Sequence, residues 1–182
     1  MVIPLKSINR GINTLVSNSI NPSIGQLLRS PTLLLAFGFG SGLSPKAPGT
    51  VGTLAAIPLW WLLAQLPLSV YLVVVFIAAV AGITICGSAS KKLGVHDHGG
   101  IVWDEFVGFW IAMAALPVSW LSLLLGFGLF RLFDILKPWP ISWLDKRVSG
   151  GLGIMIDDVI AGLAAAAVIY LATAAGLIEF LI

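Results

Sequence analysis

The sequence predicts an all-α, polytopic membrane protein with about three full spans and a short helical hairpin. Three observations carry this expectation. The chain has 182 residues, of which 58% are hydrophobic and only 10% charged, whereas soluble domains carry about 25% charged residues. Its mean hydropathy is +1.03. Long uncharged runs, divided by proline, recur between Ala47 and Ile178. The net formal charge of +2 is too small to suggest nucleic-acid binding. The single Cys86 lies in an apolar run, excludes an intramolecular disulfide and reads as a small buried hydrophobe.

Residues 1–30 read as a basic polar arm. They are rich in Asn and Ser, carry Lys6, Arg10 and Arg29, and hold no acid. No long apolar stretch follows the start, so a cleaved secretory signal is not expected. Arg is sparse for a transit peptide, and the arm reads instead as a segment lying on an anionic leaflet.

Residues 31–182 read as one helical membrane domain. Ala47 to Ser90 is 44 residues without a charge, room for two spans of about 20 residues each. Gln65-Leu66-Pro67 divides them, because proline ends one helix and opens the next. The spans are expected near 51–66 and 68–88, the first short and interrupted by Pro58. The run from Phe106 to Phe130 is uncharged for 25 residues, with Pro117 near its middle. As one straight crossing it would put Asp104 and Glu105 on the opposite side from Asp134. Folded back at Pro117, its arms are about 11 and 13 residues, roughly 17 and 20 Å at 1.5 Å per residue. Both are short for a hydrocarbon core about 30 Å thick, so a hairpin shielded by the other helices is expected. Val159 to Ile178 reads as the last span, with Ala161, Gly162 and Ala164 to Ala167 suited to close packing. Lys91, Lys92, Arg131, Lys137, Lys146 and Arg147 flank the polar segments, which the positive-inside tendency places in the cytoplasm, with Met1 inside and Ile182 outside.

Function is carried by the acids. Seven of the eight fall between Asp97 and Asp158: Asp97, Asp104, Glu105, Asp134, Asp145, Asp157 and Asp158. A carboxylate at the bilayer centre costs roughly 2.5–3.5 kcal/mol even on the lenient scale, so the cluster calls for a partner. A divalent cation held by oxygen ligands, with phosphate on its other side, satisfies that demand. Adjacent Asp104 and Glu105 open an apolar helix, where its dipole accounts for one carboxylate but not for two. Gly99-Gly100 lets Asp97 approach them through a loop, with His96 and His98 as orienting or surface groups. Arg131 and Asp134 share a helix face at i, i+3, either as an interfacial salt bridge or as a phosphate and a metal contact. Pro138 then stops that helix, and Trp139 and Trp143 suit the headgroup level. Asp157 and Asp158 stand at the entry to the last span, as caps or as ligands. The Gly-, Ser- and Thr-bearing loop 38–54 reads first as a turn. It also offers Lys46, and Thr50 or Thr53 as a cap on the next helix, to an anion.

Four stretches together resemble the bacterial phosphatidylglycerophosphatase A family: GSGLSPKAPGTVGTL (40–54), DHGGIVWDEFVGFW (97–110), FRLFDILKPWPI (130–141) and GGLGIMIDDVIAG (150–162). The resemblance covers about residues 35–170 in order and spacing. It implies an Mg²⁺-dependent lipid phosphatase of the bacterial inner membrane that removes the terminal phosphate of phosphatidylglycerophosphate. On the residue chemistry, Asp104, Glu105, Asp134, Asp157 and Asp158 form the expected metal and base set, with Asp97 next. Lys46, Thr50, Arg131 and Lys137 are expected on the substrate phosphate. Other enzyme classes fit worse. A CDP-alcohol phosphotransferase needs a spaced Asp-Gly, Ala-Arg and paired-Asp pattern, and a haloperoxidase-like phosphatase needs a Ser-Gly-His segment. The alternative from another class is a membrane cation transporter using intramembrane carboxylates, but no repeated halves are visible.

Overall fold

A computed structural model describes residues 21–95 and 98–177, and every regular element among them is helical. His96, Asp97, the first twenty residues of the arm, and Ile182 lie outside the described residues. Two short helices come first, α1 (Ile24–Arg29) and α2 (Pro31–Ala36). Ser23 and Gln26 form a reciprocal capping box on α1, and Ser30 caps α2 ahead of Pro31. These side chains satisfy the amide groups that a helix start leaves open. Leu27, Leu33, Ala36 and Phe37 from this region are buried in the common core. A 3₁₀ segment, Gly38–Leu43, then turns the chain. A side chain at Gly42 would come 2.0 Å from the Gly100 carbonyl oxygen. Backbone therefore lies against backbone there, which pins the loop before Asp104.

Helix α3 (Pro48–Leu63) has 16 residues and α4 (Leu68–Leu93) has 26, or about 24 and 39 Å. The divider at Pro67 is where the proline argument puts it. The start of α3 is not. Neither Thr50 nor Thr53 caps it; Ala47, in a left-handed conformation, is the N-cap, with Pro48 beginning the helix. Pro48 carries no amide hydrogen and so leaves one fewer donor to cap. The Thr53 hydroxyl donates to the Gly49 carbonyl at 2.9 Å, inside the helix.

The uncharged run after Glu105 does fold back. Helices α5 (Trp103–Ala112) and α6 (Trp120–Leu136) are antiparallel neighbours. Gly108 lies against the Phe130 ring and Gly126 against Met113, so residue numbers rise along one helix as they fall along the other. The break includes Pro117 but begins before it. Helix α5 ends at Ala112, Ala115 takes a positive φ of 63°, and Ser119 caps α6. The arms are 10 and 17 residues, about 15 and 25 Å.

The chain closes with α7 (Ile141–Asp145) and α8 (Gly150–Ala174). Here the expectation of a helix entered at Asp157–Asp158 fails, because α8 begins seven residues earlier, at Gly150. Its glycines serve packing rather than a loop. A side chain on Gly151 would meet the Ile83 carbonyl oxygen at 1.8 Å, and one on Gly162 the Gly108 carbonyl oxygen at 2.3 Å. Small residues let α8 press onto α4 and α5, the arrangement expected where close packing holds apolar helices together.

Helix α5 is the centre of the bundle, touched by α3, α4, α6 and α8. Its Phe106 and Phe109 are fully buried, and Trp103 stacks on Phe106 at 5.9 Å between centroids. Buried indoles need a hydrogen-bond acceptor: Trp103 Nε1 donates to the Ala78 carbonyl and Trp110 Nε1 to the Ala56 carbonyl, both at 3.2 Å. Only α4 and α8, among the described residues, are long and apolar enough to cross a membrane; α3 is shorter. The outer face of α4, with Val73, Phe76, Ile77 and Val80, is exposed and apolar.

Candidate active site

Four helix ends meet on one side of the bundle. The first turns of α5 and α8 and the last turns of α6 and α7 surround a cavity of about 200 Å³. Six carboxylates line it, from Asp104, Glu105, Asp134, Asp145, Asp157 and Asp158, together with Lys137, Gly153 and Ile154. Folding thus brings Asp104 beside Asp158 across more than fifty residues of sequence. The hairpin makes this possible, because its antiparallel arms return Asp134 to the end where Glu105 began.

At the inner wall, one oxygen each from Asp104, Glu105 and Asp158 lies within 4.8 Å of the others, with Asp158 buried. Three carboxylates this close repel one another unless a cation or proton joins them. Hard oxygen donors in such a set suit Mg²⁺ or Ca²⁺ over softer ions. The backbone shapes this set. The Asp158 carbonyl oxygen lies against Gly108, where a side chain would come within 2.7 Å. Glu105 Oε1 lies so close to Gly49 that a Cβ there would sit 2.0 Å from it. The first turn of α3 therefore touches the carboxylate set directly.

The cations are held by the acids. Arg131 Nη1 is 2.5 Å from Asp134 Oδ2 and 3.7 Å from Glu105 Oε1. These are ion pairs rather than hydrogen bonds, the Glu105 contact being too long and the Asp134 contact poorly aligned, which leaves Arg131 Nε and Nη1 buried without a hydrogen-bond acceptor. Lys137 Nζ donates to Asp157 Oδ2 at 2.6 Å and to Asp145 Oδ1 at 3.0 Å. Burial alone would lower the Lys137 pKa, but the hydrogen bonds to Asp157 and Asp145 outweigh it and raise the value above the ordinary lysine range. Lys137 is thus an ammonium at every physiological pH. Asp157 Oδ1 is buried without a hydrogen-bond partner.

Asp104, Glu105, Asp134, Asp157, Asp158 and Lys137 all line the one cavity, and Arg131 stands behind it. Lys46 is exposed and Thr50 half-buried, and neither lines the cavity. Asp97 lies outside the described residues. His98 is buried, accepts from the Gly100 amide through Nδ1 at 3.0 Å, and rests 5.4 Å from the Phe37 ring. Two residues that the sequence reading left out of the site belong to it. Asp145 was visible as an acid, but only the turn through Pro138 and Pro140 brings it back to Lys137. Gly49 carried no chemical signal, and its importance is the absence of a side chain.

Among the described residues the fold is a bundle of apolar helices with six carboxylates and Lys137 gathered around a cavity at one end, which defines a class: helical proteins with an acidic site among helix ends. Within that class, the chain belongs to the phosphatidylglycerophosphatase A family, whose model matches residues 34–173. It is 52% identical over 144 residues to phosphatidylglycerophosphatase A of Escherichia coli (strain K12), covering 79% of this chain and 84% of that one. It is 47% identical over 152 residues to phosphatidylglycerophosphatase A of Haemophilus influenzae, covering 82% and 93% respectively. No solved structure matches the chain.

Proposed function

We propose that this protein hydrolyses the terminal phosphate of phosphatidylglycerophosphate, giving phosphatidylglycerol and inorganic phosphate. The observation that carries the proposal is the convergence of five expected acids, from α5, α6 and α8, on one cavity that also holds Lys137. Family membership supports the same substrate, and leaves the cation-transporter alternative without support. The residues fit an Mg²⁺ ion at Asp104, Glu105 and Asp158, where three carboxylate oxygens gather. Bound there, the ion supplies charge neutralisation on phosphoryl oxygens and a lower pKa for the attacking water.

The chain's own side chains do the rest. As the anion enters, Arg131 exchanges part of its carboxylate pairing for phosphate oxygens and Lys137 offers the N–H that its two carboxylates leave open, each remaining charged throughout. Asp134 and Asp157 hold those cations in place before substrate arrives. A carboxylate of the set accepts a proton from the water. The α3 first turn at Gly49 adds a helix dipole favourable to the anion.

The setting we propose is the bacterial inner membrane, with α3, α4 and α8 crossing it, the α5–α6 hairpin entering without crossing, and the acidic end facing the cytoplasm. Lys91 and Lys92 in the last turn of α4 support that orientation, as does the exposed apolar face of α4. Mg²⁺ dependence, the three spans and the facing all belong to this reading. One experiment tests substrate and facing together: phosphate release from phosphatidylglycerophosphate in the outer leaflet of sealed vesicles. Inverted vesicles containing the protein should release it rapidly, and right-side-out vesicles should not. Release from neither would sink the substrate assignment, and release only from right-side-out vesicles would sink the facing.

A further inference from the structure

The rim of the cavity holds an acid that neither the inner carboxylate set nor the fold accounts for. Asp145 ends the five-residue helix α7. Its side chain is 39% exposed, against 32% for Lys137 and 11% for Asp157. Lys137 Nζ thus bridges a water-facing carboxylate at 3.0 Å and a buried one at 2.6 Å. An exposed pair of this kind contributes little stability. A carboxylate at the mouth also repels an anionic headgroup. The α7 segment has holds of its own, since Ile141 is buried and α7 packs against α8. Asp145 therefore costs substrate attraction without being needed to dock its helix.

We infer that Asp145 is a positioning residue: it holds the Lys137 ammonium at the cavity rim, against the pull of Asp157, where that ammonium meets the incoming phosphate. The inference rests on the phosphatase reading above. An ammonium has three N–H donors. Asp145 and Asp157 take two, and the third remains for a phosphate oxygen. The Lys137 backbone is already fixed, because it ends α6 at φ 42° with its amide bonded to the Phe133 carbonyl. What remains free is the four-carbon stem, and Asp145 is the group that restrains it from the water side. Without Asp145 the stem can turn wholly onto Asp157 or away from the cavity, and in both cases the donor is lost to substrate.

The test uses the full chain purified in detergent, with phosphatidylglycerophosphate as substrate and Mg²⁺ varied. Asp145→Asn should raise KM about tenfold, the worth of one charged hydrogen bond, with kcat within about threefold of normal. The melting temperature and the Mg²⁺ concentration for half-maximal activity should stay unchanged. Asp145→Glu should recover most of the KM. In a Lys137→Ala background, Asp145→Asn should add no further rise, because the two residues act as one unit. A normal KM in active Asp145→Asn protein would overturn the inference. So would a raised Mg²⁺ requirement, which marks a metal ligand, or additive KM effects in the double variant. Wild-type protein that releases no phosphate from this lipid would overturn the phosphatase reading itself, a different and separable failure.

Discussion

Gly49 shows how one atom can matter more than a charge. The position is helical and would ordinarily gain about 1 kcal/mol of helix propensity from alanine. Here the added Cβ would lie 2.0 Å from Glu105 Oε1 and 3.3 Å from Arg131 Nη1. Both are ends of flexible side chains, so the fold can accommodate the methyl by pushing the carboxylate aside. The expected outcome for Gly49→Ala is a stable protein whose Glu105 has left the set it forms with Asp104 and Asp158. Displacements of about 1 Å at a reacting centre can cost a hundredfold in rate. Steady-state turnover beside a melting curve checks this: kcat should fall on the order of a hundredfold while the melting temperature stays put. Normal turnover would mean that Glu105 has no part in the chemistry.

Among the elements, α8 is the one the amino-acid pattern disguised. Gly150-Gly151-Leu152-Gly153 reads as a loop because glycine is costly inside helices. It folds as helix because tertiary contact outweighs propensity: Gly151 lies against the Ile83 carbonyl and the Gly87 amide of α4. That start carries Asp157 and Asp158 two turns into the helix, facing α5 and α6, rather than capping it. Alanine at Gly151 should therefore destabilise, although propensity alone says the reverse. Overpacking of a tight core costs typically 1–3 kcal/mol, and the obstacle here is backbone that cannot rotate away. Gly128 in α6 has nothing within 4 Å of a built Cβ and serves as the control. Thermal unfolding in detergent should show Gly151→Ala lowered and Gly128→Ala unchanged or raised. A raised melting temperature for Gly151→Ala would mean that the α4–α8 contact is looser than described. The hairpin, by contrast, was legible in outline, since Pro117 and two short apolar arms leave little choice. Its turn was not, because Ala115 adopts a left-handed conformation that no alanine advertises.

At the scale of the whole molecule, the long apolar runs announced a helical bundle and the acid distribution announced its acidic end. Charge is so scarce here that each carboxylate stands out, and Asp104, Glu105, Asp134, Asp157 and Asp158 could be named as a group without any coordinates. What the pattern could not supply was their pairing. That Lys137 binds Asp145 as well as Asp157, and that Arg131 reaches Glu105 as well as Asp134, depends on helix ends converging from four separate segments. The cap of α3 was missed for a related reason, since Pro48 removes the need that Thr50 or Thr53 would have met. The bundle as a whole therefore works as a frame that crowds acid at one end, and its central claim is that a divalent cation relieves the crowding. The direct measurement is phosphate release from phosphatidylglycerophosphate by the purified protein, first with a chelator and then with Mg²⁺ restored. Activity should fall at least about a hundredfold under chelation and return with Mg²⁺, while Asp158→Asn stays inactive in both conditions. Full turnover in the presence of chelator, or an Asp158→Asn protein as active as the wild type, would contradict the account.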